Sequence, residues 1–151
     1  RDVLGSRGLG DVYKRQVMIE SLNFLAFQSD IVLPGIEEGK ILTEFEEKEK
    51  IADFYLQHGV KEVIIKMGGE GAYYKTSEKE GVVEGFSVKE IVDTVGAGDG
   101  FAVGVISGRL EQLPIEEYVK RGNCIGALQI QVEGDNEGLP NRERLQNALN
   151  G

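Results

Sequence analysis

Cysteine and histidine are scarce in this sequence. The 151 residues include one cysteine, Cys124, and one histidine, His58. A single cysteine excludes an intramolecular disulfide scaffold, and one residue of each type is too few for a zinc site built from cysteine and histidine. A catalytic dyad or triad with a histidine base would have to use His58. We predict that Cys124 is a small buried apolar residue and that His58 lies on a helix face.

Basic residues and long apolar runs are also in short supply. Lys and Arg total 17 against 26 Asp and Glu, which gives a formal net charge of −9. Because nucleic acids are held mainly by basic stripes, such a partner is not expected. No apolar run approaches the roughly 20 residues that a membrane-spanning helix needs. With 40% hydrophobic residues, the chain has the composition of one globular domain.

The first sixteen residues differ in composition from the rest of the chain. Residues 1–16 carry a net charge of +2, whereas the other 135 residues carry −11. This segment has no helical or alternating apolar period and no signal-peptide core. We predict that residues 1–16 are a non-native leader that resembles translated adapter sequence, and that residues 17–151 form the folded part. A native disordered arm is the alternative interpretation.

From residue 17 onward, helical and strand patterns alternate along the chain. Helices are predicted at about 19–26, from Thr43 to Gly59, and over 98–110, 115–130 and 141–149; strands are predicted at 31–33, 63–65, 73–74 and 82–83, the last two around a polar turn. Thr43 and Glu46 form the expected capping box of the second helix, and Gly59 is expected to end it. The segment 98–110 is apolar almost all round, which is typical of a buried central helix. The alternation indicates an α/β fold with a layered, mostly parallel sheet.

One glycine-rich stretch carries the chemistry. Residues 91–101 read Ile-Val-Asp-Thr-Val-Gly-Ala-Gly-Asp-Gly-Phe, an apolar segment followed by small residues and the start of the apolar helix. The first N–H groups of a helix have no partner within it, and the small residues Gly96, Ala97 and Gly98 let a phosphate approach them. Asp99 would then lie beside the phosphate, where a carboxylate can accept the proton of an attacking hydroxyl.

Other interpretations of the glycines compete with phosphate binding. The stretch from Gly35 to Lys40 is one residue too short for a P-loop and continues with Ile41. A dinucleotide-binding fingerprint requires Gly or Ala where this chain has Phe101. A purely structural turn, in which Asp99 only compensates the helix dipole, is the remaining alternative.

The motif Asp93-Thr94-x-Gly96-Ala97-Gly98-Asp99 resembles the C-terminal signature of the ribokinase-like (PfkB-type) sugar kinases. The resemblance extends from about Met18 to Leu149. It implies a ribokinase-like layered α/β/α sandwich, of which this chain is the C-terminal, nucleotide-binding part. Because family members are considerably longer, we expect a fragment that binds nucleotide weakly and phosphorylates sugar slowly or not at all on its own.

The resemblance also implies roles for individual residues. Asp99 would be the catalytic base, and Gly96, Ala97 and Gly98 would form the anion hole. The nucleotide would contact the following residues: Lys66, Gly68, Gly69, Gly71, Asn123 and Ala127. Glu38 would help to organise Mg²⁺, although Gly35–Glu38 lacks the asparagine of the family's Asn-x-x-Glu element, and Asp93 would bind a monovalent cation. ATP and Mg²⁺ are the implied cofactors.

The substrate implied by the resemblance is a sugar or sugar acid. Val32–Gly39 and Gly134–Pro140 are similar to segments of the kinases that act on 2-dehydro-3-deoxygluconate. The alternatives are a kinase of the fructokinase or ribokinase type, acting on fructose, ribose or a nucleoside, and a non-catalytic nucleotide-binding module. We further expect a cytoplasmic protein whose full-length form is a homo-oligomer with a small-molecule partner.

Overall fold

The computed structural model describes residues 2–134 and 137–151, with side chains described from residue 8 onward. Its elements are α1 (Asp2–Phe27), β1 (Ile31–Val32), α2 (Ile36–Thr43), α3 (Lys48–Gln57), β2 (Glu62–Lys66), a 3₁₀ turn (Gly68–Glu70), β3 (Ala72–Thr76), β4 (Glu80–Val83), α4 (Ala97–Leu110), α5 (Ile115–Gln129) and α6 (Arg142–Asn150). The strands form a sheet in the order β1-β2-β3-β4. The predicted α/β class is confirmed.

The sheet is mixed. β1 runs parallel to β2, with Ile31 paired to Glu62 and Val32 paired to Val63. The connection between these two strands contains α2 and α3, as a crossover between parallel strands requires. β2, β3 and β4 follow one another through short turns, which join antiparallel neighbours. The two short strands predicted around a polar turn are confirmed as β3 and β4.

The chain divides into two compact units. Unit 1 comprises the residues up to Ile65 together with Lys75–Lys79, and unit 2 comprises Lys66–Tyr74 and Glu80–Gly151. The core of unit 1 consists of apolar side chains around α3 and β2 that are at most 3% exposed: Ile51, Ala52, Tyr55, Val60, Val63, Ile64 and Ile65. Three successive buried residues in β2 confirm the prediction of a strand covered on both faces.

Helix α1 is longer than the helix predicted at 19–26, because it continues through residues 2–16. A helical backbone was not expected there, since these residues lack an apolar period. Leu9 and Tyr13 are 73% and 71% exposed, so these two side chains add nothing to the core. The assignment of residues 1–16 as a non-native leader stays a prediction, and Arg1 lies outside the described residues.

The region predicted as one helix from Thr43 to Gly59 contains only the last residue of α2 and the shorter helix α3, which begins at Lys48. Thr43 ends α2, and its hydroxyl donates to the Gly39 carbonyl at 2.7 Å and accepts from Phe45 N at 3.3 Å. The predicted Thr43–Glu46 capping box is therefore wrong. The reason is local: a threonine hydroxyl can bond back to the carbonyl four residues earlier, and this bond satisfies it at the end of α2.

The end of α3 matches the prediction. Gly59 follows the helix with a φ of 96°, a left-handed conformation that suits glycine. The N–H groups of Gly59 and Val60 donate to carbonyls of the last turn at 3.1 and 3.2 Å, which is the Schellman pattern. His58 was predicted on the helix face but is the C-cap residue just after α3, where its ring stacks on Phe27 with centroids 4.1 Å apart.

A buried tyrosine connects the helices of unit 1. The Tyr55 hydroxyl donates to Asn23 Oδ1 at 3.0 Å, and the Asn23 amide nitrogen donates to the Leu42 carbonyl at 2.7 Å. Tyr55 is 1% exposed. Burial raises the pKa of Tyr55 to about 12, because the charged phenolate would lose its water.

We expect Tyr55→Phe to lower the free energy of unfolding at pH 7 by about 1–2 kcal/mol, because Asn23 Oδ1 loses its donor. Since the folded-state pKa is about 12 and the ordinary value is 10.0, the buried phenol stabilises the fold below pH 10 and loses this contribution between pH 10 and 12. Urea unfolding at pH 7 and pH 11 should show a larger loss of stability for the wild type than for Tyr55→Phe. If the two proteins lose the same unfolding free energy between pH 7 and pH 11, the pH dependence does not come from the Tyr55 phenol.

In unit 2, glycines set the close approach of α4 and α5. A Cβ on Gly104 would lie 2.6 Å from Gly122 Cα, and a Cβ on Gly108 would lie 2.3 Å from Tyr118 Cβ. Real side chains do not tolerate such distances, so the two helices pack backbone against backbone. This contact explains why glycine occupies the interior of α4 in spite of its low helix propensity.

Only one face of α4 is buried. Phe101 and Val105 are 5% and 1% exposed, whereas Val103 and Ile106 on the other face are 47% and 54% exposed. The prediction of a helix buried all round is therefore wrong. Apolar composition does not reveal which face a neighbour covers, and α5 covers the face that carries the glycines.

The remaining helices of unit 2 agree with the prediction. Cys124 in α5 is 1% exposed, which confirms it as a buried apolar residue, and burial raises the pKa of its thiol. α6 begins after Asn141, whose side chain accepts from Arg144 N at 2.8 Å as an N-cap. Among the described residues, no helix is long and apolar enough to cross a membrane.

Candidate active site

The segment before α4 is hydrogen-bonded to the end of α5. The N–H groups of Val92 and Asp93 both donate to the Ile130 carbonyl, at 2.8 and 3.2 Å. The Asp93 carboxylate accepts from Val95 N at 2.9 Å and from Gly134 N at 3.3 Å. These bonds fix the path by which the chain enters the glycine-rich turn.

The Asp93 side chain therefore stabilises the backbone around the glycine-rich turn. Each of its carboxylate oxygens accepts one backbone N–H, so the side chain joins the glycine-rich turn to the loop at Gly134. Its role as a ligand of a monovalent cation stays a prediction. Two residues of the predicted Gly134–Pro140 motif, Asp135 and Asn136, lie outside the described residues.

The start of α4 presents unused hydrogen-bond donors. Gly96 precedes the helix with a φ of 78°, a left-handed conformation that turns the chain sharply into α4. Ala97 N makes a long bond of 3.4 Å to the Thr94 carbonyl. Within the described part of the chain, the N–H groups of Gly98 and Asp99 have no acceptor, and both residues are exposed. The helix N-terminus is thus open to an anion.

A lysine reaches this helix N-terminus. Lys66 is the last residue of β2, and its Nζ lies 3.5 Å from the position that a Cβ on Gly98 would occupy. The free N–H groups and the Lys66 ammonium group therefore lie together at the first turn of α4, and the same turn carries the exposed Asp99. Two kinds of positive partner beside one carboxylate suit a phosphate that approaches a proton acceptor.

The glycines after β2 have different environments. A Cβ on Gly68 or Gly69 would meet nothing within 4 Å. Gly71 has a φ of 99°, and a Cβ there would lie 2.1 Å from the Val83 carbonyl oxygen and 2.6 Å from Gly85 N. Gly71 is therefore required for packing, whereas Gly68 and Gly69 are exposed to solvent and open to a ligand.

A cavity of about 360 Å³ lies beside α5. Its lining comes from the segment after β4, from α5 and the residues just beyond it, and from the last residues of the chain: Phe86, Ser87, Cys124, Ala127, Leu128, Gln131, Ala148 and Gly151. This volume is within the range of small-molecule pockets, and the lining is mostly apolar, as a planar base requires. Ala127, which was predicted to face the purine, lines this cavity.

The cavity and the start of α4 lie on neighbouring faces of α5. A Cβ on Gly126 would be 3.4 Å from the Ala97 carbonyl oxygen, and the next residue, Ala127, lines the cavity. A nucleotide has an apolar base at one end and phosphates at the other, and these are the two kinds of group that the two places suit.

Asn123 does not point its donors into the cavity. Its amide nitrogen donates to the carbonyls of Val83 and Glu84, at 3.0 and 3.1 Å. The residue is 9% exposed. A direct contact between Asn123 and a nucleotide base stays a prediction, whereas its contact with the end of β4 is part of the structure.

Glu38, the predicted organiser of Mg²⁺, caps α2. Its Oε1 accepts from Gly35 N at 3.3 Å, which is one half of a capping box. No group of three or more His, Cys, Asp and Glu side chains suited to a metal occurs in the described parts of the chain. Mg²⁺ bound with a nucleotide takes much of its coordination from the phosphate oxygens, so the phosphates themselves would provide donors for the ion.

Sequence comparison assigns the chain to a family of phosphotransferases. It belongs to the pfkB family of carbohydrate kinases, whose family model matches residues 11–142. Among curated proteins it is similar to 2-dehydro-3-deoxygluconokinase of Bacillus subtilis (strain 168), with 54% identity over 132 residues. This match covers 87% of the chain and 41% of the relative.

Solved structures support the same assignment. An Escherichia coli protein assigned as ribokinase II, in complex with ATP and Mg²⁺, matches with a TM-score of 0.83 and 30% identity over 89% of this chain and 44% of that chain. A double mutant of fructokinase from Vibrio cholerae O395, with fructose, ADP and potassium bound, matches with a TM-score of 0.81 and 27% identity over 89% and 45%. The ribokinase-like fold is confirmed, and the chain spans less than half the length of these relatives.

Proposed function

We propose that the full-length protein transfers the γ-phosphoryl group of ATP to a hydroxyl of 2-dehydro-3-deoxygluconate. The observation that carries this proposal is that the first turn of α4 has free N–H groups, the Lys66 ammonium group beside Gly98, and the exposed residue Asp99. The choice of a sugar acid rests on the 54% identity to the Bacillus subtilis kinase. The ribokinase of Haemophilus influenzae is more distant, at 29%.

In the proposed reaction, the base occupies the cavity beside α5 and the phosphates contact the N–H groups of Gly98 and Asp99 and the Lys66 ammonium group. The Asp99 carboxylate accepts the proton of the substrate hydroxyl while that oxygen forms a bond to the γ-phosphorus. The bond from the γ-phosphorus to the bridging oxygen breaks, and ADP leaves with that oxygen. The helix N-terminus offsets the negative charge that spreads over the transferred group.

Mg²⁺ would be held by the phosphates and would neutralise part of their charge. The structure of the Escherichia coli relative with ATP and Mg²⁺ supports this requirement. We place the reaction in the cytoplasm, where ATP is available and where a thiol such as Cys124 stays reduced.

A substrate panel tests the proposed function. A full-length version of the protein is incubated with Mg·ATP and either 2-dehydro-3-deoxygluconate, ribose or fructose, and both ADP and the phosphorylated product are measured. We expect the highest kcat/KM with 2-dehydro-3-deoxygluconate. A preference for ribose or fructose would overturn the substrate, and phosphorylation of none of the three would overturn the proposed reaction.

We expect Lys66→Met to weaken ATP binding by roughly 10- to 100-fold, because a charge-assisted contact to phosphate is lost. Adenosine, which has no phosphate, should bind both proteins equally. Lys61→Met is the matched control, since Lys61 is exposed and pairs with Asp30 at 3.1 Å in unit 1. Isothermal titration calorimetry of the three proteins checks this prediction, and unchanged ATP affinity in Lys66→Met would remove Lys66 from the phosphate site.

A further inference from the structure

We infer that Asn123 is a positioning residue that fixes one wall of the base pocket and does not itself recognise the base. This wall segment consists of residues 83–87. The inference rests on the proposed function, because it concerns how the same site holds the adenine end of ATP. It changes the role of Asn123 from a ligand-contacting side chain to a support behind the pocket.

The hydrogen bonds of Asn123 are the first argument. An asparagine side chain has two N–H donors, both on the amide nitrogen. In this structure that nitrogen serves two successive carbonyls, those of Val83 and Glu84, at 3.0 and 3.1 Å. With the residue 9% exposed, its donors are directed at the protein and not at solvent or a ligand.

The position of these two carbonyls is the second argument. β4 ends at Val83, and residues 84–88 belong to no helix or strand. The strand pairing of β4 therefore ends where the hydrogen bonds from Asn123 begin. Phe86 and Ser87, only two and three residues beyond Glu84, line the cavity. Because this irregular segment is short, the two hydrogen bonds at its start restrict where Phe86 and Ser87 can lie.

The opposite side of the pocket supplies the third argument. Cys124 and Ala127 of α5 line the cavity. Asn123 precedes Cys124 on the same helix and lies one turn before Ala127, so the same stretch of α5 supplies one side of the cavity and the anchor for the other. Its two hydrogen bonds therefore link the wall segment directly to the stretch of α5 that lines the cavity.

Glycine contacts hold the same segment from its other side. A Cβ on Gly85 would lie 2.5 Å from the Gly69 carbonyl oxygen, and a Cβ on Gly71 would lie 2.8 Å from the Glu84 carbonyl carbon. The wall segment is thus confined between the turn after β2 and Asn123. Loss of the two Asn123 bonds would release it on the side that faces the pocket.

The test compares Asn123→Asp, which keeps the shape of the side chain but lacks both donors, with the wild type in a full-length version. We expect KM for ATP to rise about tenfold or more, since two hydrogen bonds to the wall segment are lost, while kcat at saturating ATP stays within about threefold. Binding of inorganic tripolyphosphate, which has no base, should not change. Asn123→Gln retains the donors and should restore most of the affinity for ATP, and it also serves if Asn123→Asp does not fold.

A double-mutant cycle with Phe86→Ala separates support from direct contact. If Asn123 acts through the wall segment, the effects of Asn123→Asp and Phe86→Ala on KM for ATP overlap and the double variant is less impaired than their product. If the effect of the double variant on KM instead lies within about twofold of the product of the two single effects, Asn123 contacts the nucleotide independently and the inference is overturned.

Hydrogen exchange without nucleotide distinguishes failure of the inference from failure of the proposed function. The amides of residues 84–88 should exchange at least about tenfold faster in Asn123→Asp than in the wild type, while those of α3 stay unchanged. If the wild type phosphorylates sugar and the variant alters neither exchange nor KM, the inference alone is wrong. If exchange rises but the wild type binds no ATP, the proposed function is wrong and the support of the wall segment by Asn123 stands.

Discussion

Asp99→Asn is expected to lower kcat of a full-length version by roughly 10²- to 10⁴-fold, the usual contribution of a general base. The asparagine side chain has the same shape as the aspartate side chain but cannot accept the proton of the attacking hydroxyl. KM for ATP should stay within about threefold, because the N–H groups and Lys66 that hold the phosphates are unchanged. Steady-state kinetics with 2-dehydro-3-deoxygluconate and Mg·ATP measures both parameters.

Glu70→Gln is the matched control for this prediction. Glu70 is an exposed carboxylate in the 3₁₀ turn of unit 2, so its replacement removes the same charge without altering α4. We expect kcat of the control to stay within about threefold of the wild type. Near-normal turnover in Asp99→Asn would remove Asp99 from the role of base, whichever sugar is the substrate.

Gly71→Ala is expected to lower the free energy of unfolding by about 2–6 kcal/mol, the sum of backbone strain and overpacking. The alanine would have to adopt a φ near 99°, with its Cβ 2.1 Å from the Val83 carbonyl oxygen. Backbone atoms at that distance have no low-energy way to move aside. Urea unfolding of the chain, followed by circular dichroism, measures the loss.

Gly69→Ala provides the comparison, because a Cβ there meets nothing within 4 Å and the residue has no positive φ. It should change stability by no more than about 0.5 kcal/mol. Equal effects of the two substitutions would show that Gly71 is a flexible turn residue and that its close packing on residues 83–85 has no energetic weight.

Local sequence signals predicted much of the fold because they depend on near neighbours. The apolar run in β2, the helix stop at Gly59 and the buried Cys124 each follow from residue type and spacing, and each is observed. The Thr43–Glu46 capping box failed for the same local reason, since the Thr43 hydroxyl had a competing acceptor in the preceding turn.

Local sequence patterns could not predict the features that depend on tertiary packing. The sequence marks Lys66 and Gly98 separately, but they lie close together because Lys66 packs within unit 2, where its side chain reaches the start of α4. The two bonds from Asn123 to the end of β4 join residues about forty positions apart. The exposed face of α4 was also missed, since which side a neighbour covers is decided by glycines that carry no apolar signal.

The chemistry of the site was easier to predict than its geometry. Gly96, Ala97, Gly98 and Asp99 are adjacent in sequence, so a helix start beginning there necessarily brings small residues, unpaired N–H groups and a carboxylate together. Ala97 N makes only a long bond to the Thr94 carbonyl, and in the described residues the N–H groups of Gly98 and Asp99 have no acceptor; the anion hole at Gly96, Ala97 and Gly98 stays a prediction. Helix ends are the least certain part of any sequence-based assignment.

The most direct measurement of the central claim is an NMR titration of the ¹⁵N-labelled chain with Mg·ATP and, separately, with inorganic tripolyphosphate. If the start of α4 holds the phosphates, the amide protons of Gly98 and Asp99 move downfield with both ligands, and these changes are among the largest in the spectrum. Residues around the cavity beside α5 should respond to Mg·ATP alone. Amide signals of Gly98 and Asp99 that stay fixed while other signals move would contradict the account.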